Sequence, residues 1–177
     1  MKDPDLMRVL DREAIRDCLY RYCRGIDRAD EAALRSSYWP DATDRHGASS
    51  GPVEGFFERV QAAWARGVRN VHHVGNILIE LKGDGFATVE SYFLALQRGR
   101  GPDGIETQVL ISGRYCDLFA KRDGEWRVLE RVVVYDWVDH QTPATGSEDE
   151  RFGARLPIGG RCPDDPAYWP GRDFPTS

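Results

Sequence analysis

Between Ile15 and Ile26, apolar residues recur at three- and four-residue spacing: Ile15, Cys18, Leu19, Tyr22 and Ile26. That spacing is one face of an amphipathic helix. The pattern predicts a helix capped by Asp11, or beginning a turn earlier near Leu6, and ending at Asp27–Ala29. A second, short helix fits Asp30 to Tyr38, with Ala33, Leu34 and Tyr38 inward. Trp39-Pro40-Asp41-Ala42 breaks it, because proline cannot continue a helix. Thr43 to Ala48 reads as a short strand closed by Ser49-Ser50-Gly51-Pro52, and Val53 to Arg66 as a third helix carrying Phe56, Phe57, Val60 and Trp64.

After Gly67 the period changes. Four β-like runs follow, Val71 to Leu81, Phe86 to Gln97, Ile105 to Ala120 and Glu125 to Val138, divided by Gly- and Asp-containing turns. Long strands with short loops imply an antiparallel sheet. Helices first and strands afterwards imply an α+β domain with helices on one sheet face. The tail from Gln141 to Ser177 is rich in Pro and Gly but carries Phe152, Leu156, Ile158, Tyr168, Trp169 and Phe174. A disordered tail would be poorer in aromatics, so it is expected to pack on the domain or on a neighbouring subunit.

Composition narrows the class. The chain has 177 residues, 41% hydrophobic and 30% charged, which suits one globular domain. A net charge of −5 argues against a nucleic-acid partner, which would want a basic face. Cys18, Cys23, Cys116 and Cys162 show no C-x-x-C spacing, so zinc is not signalled, and buried thiols are expected. The N-terminus lacks a signal-peptide pattern, and no apolar run approaches the ~20 residues of a membrane span, so a cytoplasmic protein is expected. No P-loop is present; Gly99-Arg-Gly-Pro-Asp-Gly104 and Gly47-Ala-Ser-Ser-Gly51 match G-x-G-x-x-G and G-x-S-x-G in letters alone, the first between two strand-like runs where a dinucleotide site needs a helix to follow, so neither a cofactor nor a metal is expected.

The residues suited to chemistry are few. Asp27 falls at a helix C-terminus, where the macrodipole disfavours a carboxylate; an apolar site would disfavour it further and suit it to acid–base work. His72 and His73 are neighbours in a strand, so they point to opposite faces. His73 shares parity with Ile77 and Ile79, His72 with Val74 and Leu78, and parity alone does not choose. Arg131 lies on the odd face of the last strand with Leu129, Val133, Tyr135 and Trp137; an arginine there needs a buried carboxylate or a bound oxyanion. Arg114 stands similarly among Leu110, Ser112, Cys116 and Leu118. With Trp39, His46, Tyr92 and Trp137, these arginines are the candidate substrate-binding set.

Several short motifs, in order, resemble one family. They are Arg12-Glu-Ala-Ile-Arg-Asp17, Tyr22-x-x-x-x-Asp27, Trp39-Pro-Asp-Ala42 with His46-Gly47, and His73-x-Gly-Asn76. Gly113-Arg-Tyr-x-Asp117, Arg122-Asp-Gly-x-Trp126 and Arg131-x-x-x-x-Asp-Trp137 follow. From Leu6 to His140 the chain resembles SnoaL-like members of the NTF2-like superfamily, in the branch of scytalone dehydratase, hexachlorocyclohexane dehydrochlorinase and the bile-acid dehydratase. The resemblance implies a cone: a bent antiparallel sheet whose pocket is enclosed by three N-terminal helices. It implies a catalytic domain over 1–140, with 141–177 as an extension. It also implies an Asp–His pair, with Asp27 orienting His73 as the base and Tyr22 joining them, and a homodimer or homotrimer. The stretch Tyr92 to Gln97 lacks the acid of the bile-acid enzyme, and the dehydrochlorinase has a lysine near the position of Tyr22.

The expected activity is that of a cofactor-independent lyase on a hydrophobic aromatic or polycyclic small molecule. It would act as a dehydratase, or as a deformylating lyase on a lignin-derived diaryl compound. The other readings are an isomerase or cyclase of steroid or polyketide type, and a non-catalytic small-molecule-binding or assembly module.

Overall fold

The computed structural model describes residues 3–100, 105–142 and 145–169. Phe174 and residues 101–104 of the turn between the second and third strand-like runs lie outside them. Helix α1 runs from Pro4 to Arg28, two turns longer than a cap at Asp11 would allow. Asp3 is its cap, accepting the Asp5 N–H, and Pro4 takes a first-turn position where its missing donor costs nothing. Asp11 instead sits inside the helix and accepts from Lys121 and Trp126 at 2.6 and 2.9 Å, which ties α1 to the sheet.

The helix ends at Ala29 in the left-handed region (φ 50°, ψ 39°), and the Asp30 N–H bonds back to the Gly25 carbonyl. Helix α2 (Glu31–Arg35) follows at once, capped by Asp30. It lies so close to α1 that a Cβ at Gly25 would meet the Leu34 amide nitrogen at 2.6 Å. Tyr38, expected in this helix, opens strand β1 (Tyr38–His46) instead. Pro40 fits in β1 because the pairing is interrupted between Tyr38 and Thr43. Strand β2 (Ser49–Pro52) and helix α3 (Val53–Ala65) complete the first half.

The second half is four long strands: β3 (Arg69–Gly83), β4 (Phe86–Arg100), β5 (Glu106–Arg122) and β6 (Glu125–Gln141). The sheet order is β2-β1-β6-β5-β4-β3, an open bent sheet with helices packed on it. It is not wholly antiparallel, since β1 pairs with β6 in parallel. Periodicity reads each strand alone and carries no signal for that long-range pairing.

Two strands gain extra residues, and these decide what faces the helices. Between Val74 and Ile77, β3 spends three steps where β4 spends two, from Phe93 to Ser91. The bulge switches parity, so Asn70, His72 and Val74 turn inward on one side of it and Ile77, Ile79 and Leu81 on the other. In β6, bulges fall between Val128 and Glu130 and between Tyr135 and Trp137. Trp126 and Val128 are inward before the first; Arg131 and Val133 are inward after it.

The tail returns to its own domain. Helix α4 (Glu148–Phe152) is held by an Arg69–Glu148 ion pair at 2.6 Å. Arg161 donates to the carbonyls of Trp64 and Val68, and the Cys162 N–H donates to the Arg28 carbonyl at 2.7 Å. The Tyr168 hydroxyl donates to Asp30 at 2.8 Å, and Asp165 pairs with Arg28 at 3.1 Å. Three of these contacts brace the stretch just after Asp27. Among the described residues, no helix is long and apolar enough to cross a membrane.

Candidate active site

The inner face of the sheet and helices α1 and α3 line an open cavity of about 380 Å³. Its wall carries Tyr22, His46, Phe56, Trp64, His72, Phe93, Tyr115 and Tyr135, with Asn70, Arg59 and Gln97 as polar additions. This is the size and chemistry of a small-molecule site: apolar and aromatic, with a few placed polar groups.

Asp27 stands at the end of α1 beside this cavity and lines the adjoining pocket. Trp64 of α3 donates its indole N–H to the Ile26 carbonyl at 3.1 Å, and the tail occupies the Arg28 carbonyl. The helix terminus is therefore tied from two sides. Its carboxylate meets His72 twice: Oδ2 accepts the His72 backbone N–H at 2.8 Å, and Oδ1 lies 2.5 Å from His72 Nδ1. Side-chain exposure is 12% for Asp27 and 9% for His72. With Nδ1 engaged by the carboxylate, Nε2 is the ring nitrogen left for chemistry.

Tyr22, one turn before Asp27, presents its ring edge-on to His72 with centroids 6.3 Å apart. Burial pushes its phenol far above the ordinary range, against the pull of the Arg131 charge, so it stays protonated and can donate. Burial likewise pushes Cys23 up to about 12, with the Asp27 charge adding to it, so this thiol is inert.

His73 is not in this site. It is exposed on the outer face of the sheet, in a cross-strand row with Leu94, Ser112 and Trp137. The β3 bulge is the reason, since an unbulged strand would turn His73 to the side of Ile77 and Ile79. The imidazole beside Asp27 is that of His72.

The expected binding residues divide. His46 lines the cavity. Arg131 does not reach it: its guanidinium is fully buried between the rings of Tyr22 and Tyr115, 4.2 Å from each centroid, and grips Asp117 with two bonds of 2.8 and 2.7 Å. Burial opposes its charge, but Asp117 outweighs that and holds its pKa above the ordinary value. Arg131 is thus a pillar behind the wall, and it keeps Tyr22 in place. Arg114 lies on the outer face, pairing with Asp136 and Glu90. Trp39 donates to the Ala120 carbonyl and lies under Arg122 and Arg127, away from the cavity. Tyr92 and Trp137 are also on the outer face, and Trp137 is 75% exposed because the second β6 bulge turns it out.

Phe93, Tyr115 and Tyr135 were missing from the sequence-derived binding set. Phe93 and Tyr115 stack at 4.4 Å beside Gly113, where a Cβ would sit 2.1 Å from the Val134 carbonyl oxygen. That glycine, in the Gly113-Arg-Tyr motif, was the available signal.

A family model described as a SnoaL-like domain matches residues 7–132. Among solved structures, the chain is similar to a type 2 hexachlorocyclohexane dehydrochlorinase, with 21% identity and a TM-score of 0.71 over 81% of this chain and 97% of that one. It is similar to a scytalone dehydratase-like protein from Novosphingobium aromaticivorans, with 19% identity and a TM-score of 0.66 over 77% and 91%. A type 3 dehydrochlorinase from Novosphingobium barchaimii gives 24% identity and a TM-score of 0.70 over 81% and 98%. No curated protein sequence matches the chain. At these identities the structural likeness is one of fold, and the fold is the NTF2-like cone.

Proposed function

The chain belongs to the SnoaL-like domain family, and on that premise we propose that it is a lyase using His72 as a general base, oriented by Asp27. The observation that carries the reading is the doubly held imidazole on the wall of an aromatic cavity. In the proposed reaction His72 Nε2 removes a proton, from carbon where water is lost or from the hydroxymethyl O–H where formaldehyde is lost, and Asp27 stabilises the imidazolium that forms. Tyr22 donates a hydrogen bond to the oxygen on which charge develops. The substrate is a hydrophobic aromatic or polycyclic alcohol of a size the cavity admits. The bond that breaks is carbon–oxygen, with loss of water, or carbon–carbon, with loss of formaldehyde from a hydroxymethyl group.

We also propose that the outer sheet face packs against a second copy. Val71, Tyr92, Leu94, Leu96 and Trp137 are exposed there, an apolar face that a lone chain rarely leaves to water.

The deciding experiment offers the protein a panel of lignin-derived and steroid-like aromatic alcohols and measures product mass. Loss of water or formaldehyde, abolished by His72→Ala and retained by His73→Ala, is the expected result. Product of unchanged mass would replace the lyase reading with an isomerase. Turnover that survives His72→Ala would remove the base.

A further inference from the structure

The cavity holds a second imidazole on a carboxylate, and the proposed base does not use it. His46 Nδ1 lies 3.1 Å from Asp44 Oδ1, and Asp44 Oδ2 accepts the Tyr38 hydroxyl at 3.1 Å. Asp44 is 2% exposed. The His46 ring lies flat on Phe56, with centroids 5.0 Å apart and planes 14° apart. Phe56 stacks in turn on Tyr22, and Tyr22 meets His72 edge-on. One aromatic wall therefore runs from His72 through Tyr22 and Phe56 to His46, with a carboxylate-bound imidazole at each end. His46 Nδ1 is committed to Asp44, so Nε2 is its remaining nitrogen.

The buried charges distinguish the two ends. Asp44 and Asp117 are both withdrawn from water. Arg131 is already bound by two hydrogen bonds to Asp117. A second buried carboxylate calls for a second positive charge, and the group in contact with Asp44 able to carry one is His46. Asp27 has a different neighbourhood, since it is partly exposed and spends one oxygen on a backbone N–H.

We propose that His46 is a second catalytic residue, the general acid that protonates the leaving oxygen, with Asp44 as its positioning residue. This deepens the lyase reading and rests on it. In the elimination, the C–H bond breaks, its proton goes to His72 Nε2, and its electron pair becomes the new C=C bond. The C–O bond breaks, and its oxygen takes the proton from His46 Nε2 and leaves as water. His72 ends protonated and His46 neutral. Each resets by exchange with solvent, and no oxidant or co-reactant is needed. Hydroxide is a poor leaving group, which is why dehydration needs such an acid where elimination of a good leaving group does not.

The test uses two probes with the same carbon acid, 4-hydroxy-4-phenylbutan-2-one and its acetate ester. Both yield the same enone, read by its absorbance. His46→Ala is expected to lower dehydration of the alcohol by about 10²–10⁴-fold and to leave acetate elimination within a few-fold of the parent. Retained acetate elimination also shows that the variant is folded. Added imidazole is expected to restore dehydration to His46→Ala. His72→Ala is expected to lose both reactions. Equal loss of both reactions in His46→Ala would overturn the acid assignment while the base reading stands. Loss of alcohol turnover alone in His72→Ala would reverse the two roles. If His72→Ala retains both reactions, the base reading fails and this inference falls with it.

Discussion

Asp27 holds His72 by its main chain as well as by its ring. One carboxylate oxygen accepts the backbone N–H at 2.8 Å, and the other meets Nδ1 at 2.5 Å. The aspartate therefore fixes where strand β3 meets helix α1 and which way the imidazole points. Asp27→Asn keeps the size and loses the charge, and is expected to cut kcat/KM by roughly 10³-fold. Asp27→Ala also abandons a partly buried N–H and is expected to cost a further ~1–2 kcal/mol of stability in urea unfolding. Unchanged kcat/KM in Asp27→Asn would remove the pair from the mechanism.

Arg131 and Asp117 form a wholly buried pair whose loss is asymmetric. Arg131→Met strands a buried carboxylate and is expected to destabilise by about 3–5 kcal/mol. The double variant Arg131→Met, Asp117→Leu is expected to recover much of that. Urea midpoints of the two variants make the comparison. If the single variant were as stable as its parent, the pillar described behind Tyr22 would not exist.

The junction of α1 and α2 gives paired predictions of opposite sign. Gly25→Ala places a Cβ against the Leu34 backbone and is expected to cost ~2 kcal/mol. Ala29 occupies left-handed space, and Ala29→Gly is expected to gain about 0.5 kcal/mol, the relief of strain less the entropy of a freer chain. Thermal unfolding of the two variants should move in opposite directions.

Acid should release the tail. Asp165 is nearly buried, which alone would raise its pKa; the Gly160 and Ala167 N–H groups and Arg28 outweigh burial and lower it. A lowered folded-state pKa stabilises at pH above the unfolded value of 3.8, and that stabilisation is lost as pH falls through the folded value. Hydrogen-exchange protection across 160–168, taken relative to the intrinsic amide rate at each pH, should therefore fall below pH ~4. Asp165→Asn should show the faster exchange already at neutral pH. Identical exchange in the two proteins at neutral pH would show that Asp165 does not hold the strap.

Leu94→Lys tests the outer face. If that face packs against a copy, light scattering should give a smaller mass than the parent, with circular dichroism unchanged. An unchanged mass would place the interface elsewhere.

The elements were legible because burial imposes a period. The helical stripe Ile15 to Ile26 and the four long strands follow from it within a few residues. The faces were harder. A bulge adds a residue without a letter of its own, so parity left the two histidines open, and the family resemblance pointed to His73 where the chain turns His72 inward. Apolarity did not mark the pocket side either. Strand β4 is apolar on both faces, with Phe93 and Ala95 inside and Tyr92, Leu94 and Leu96 outside, and so Tyr92 passed for a lining residue; Trp137 shares sequence parity with the inward Arg131 and Val133, and the second β6 bulge turns it out. Arg131 was legible as a charge needing a partner. That the partner is Asp117, one strand away, depends on a register that only the folded sheet defines.

The bulge at Gly75 and Asn76 also means that the site is specified by a count as well as by residue type. Two histidines stand side by side, and the number of residues between them and the β3–β4 turn selects which one Asp27 receives. Drawing the bulge flat, with no atom of either histidine altered, would exchange one imidazole for the other. A single insertion or deletion in that stretch is therefore equivalent to an active-site substitution. Relatives aligned by their histidines alone can be matched to the wrong neighbour while every letter agrees.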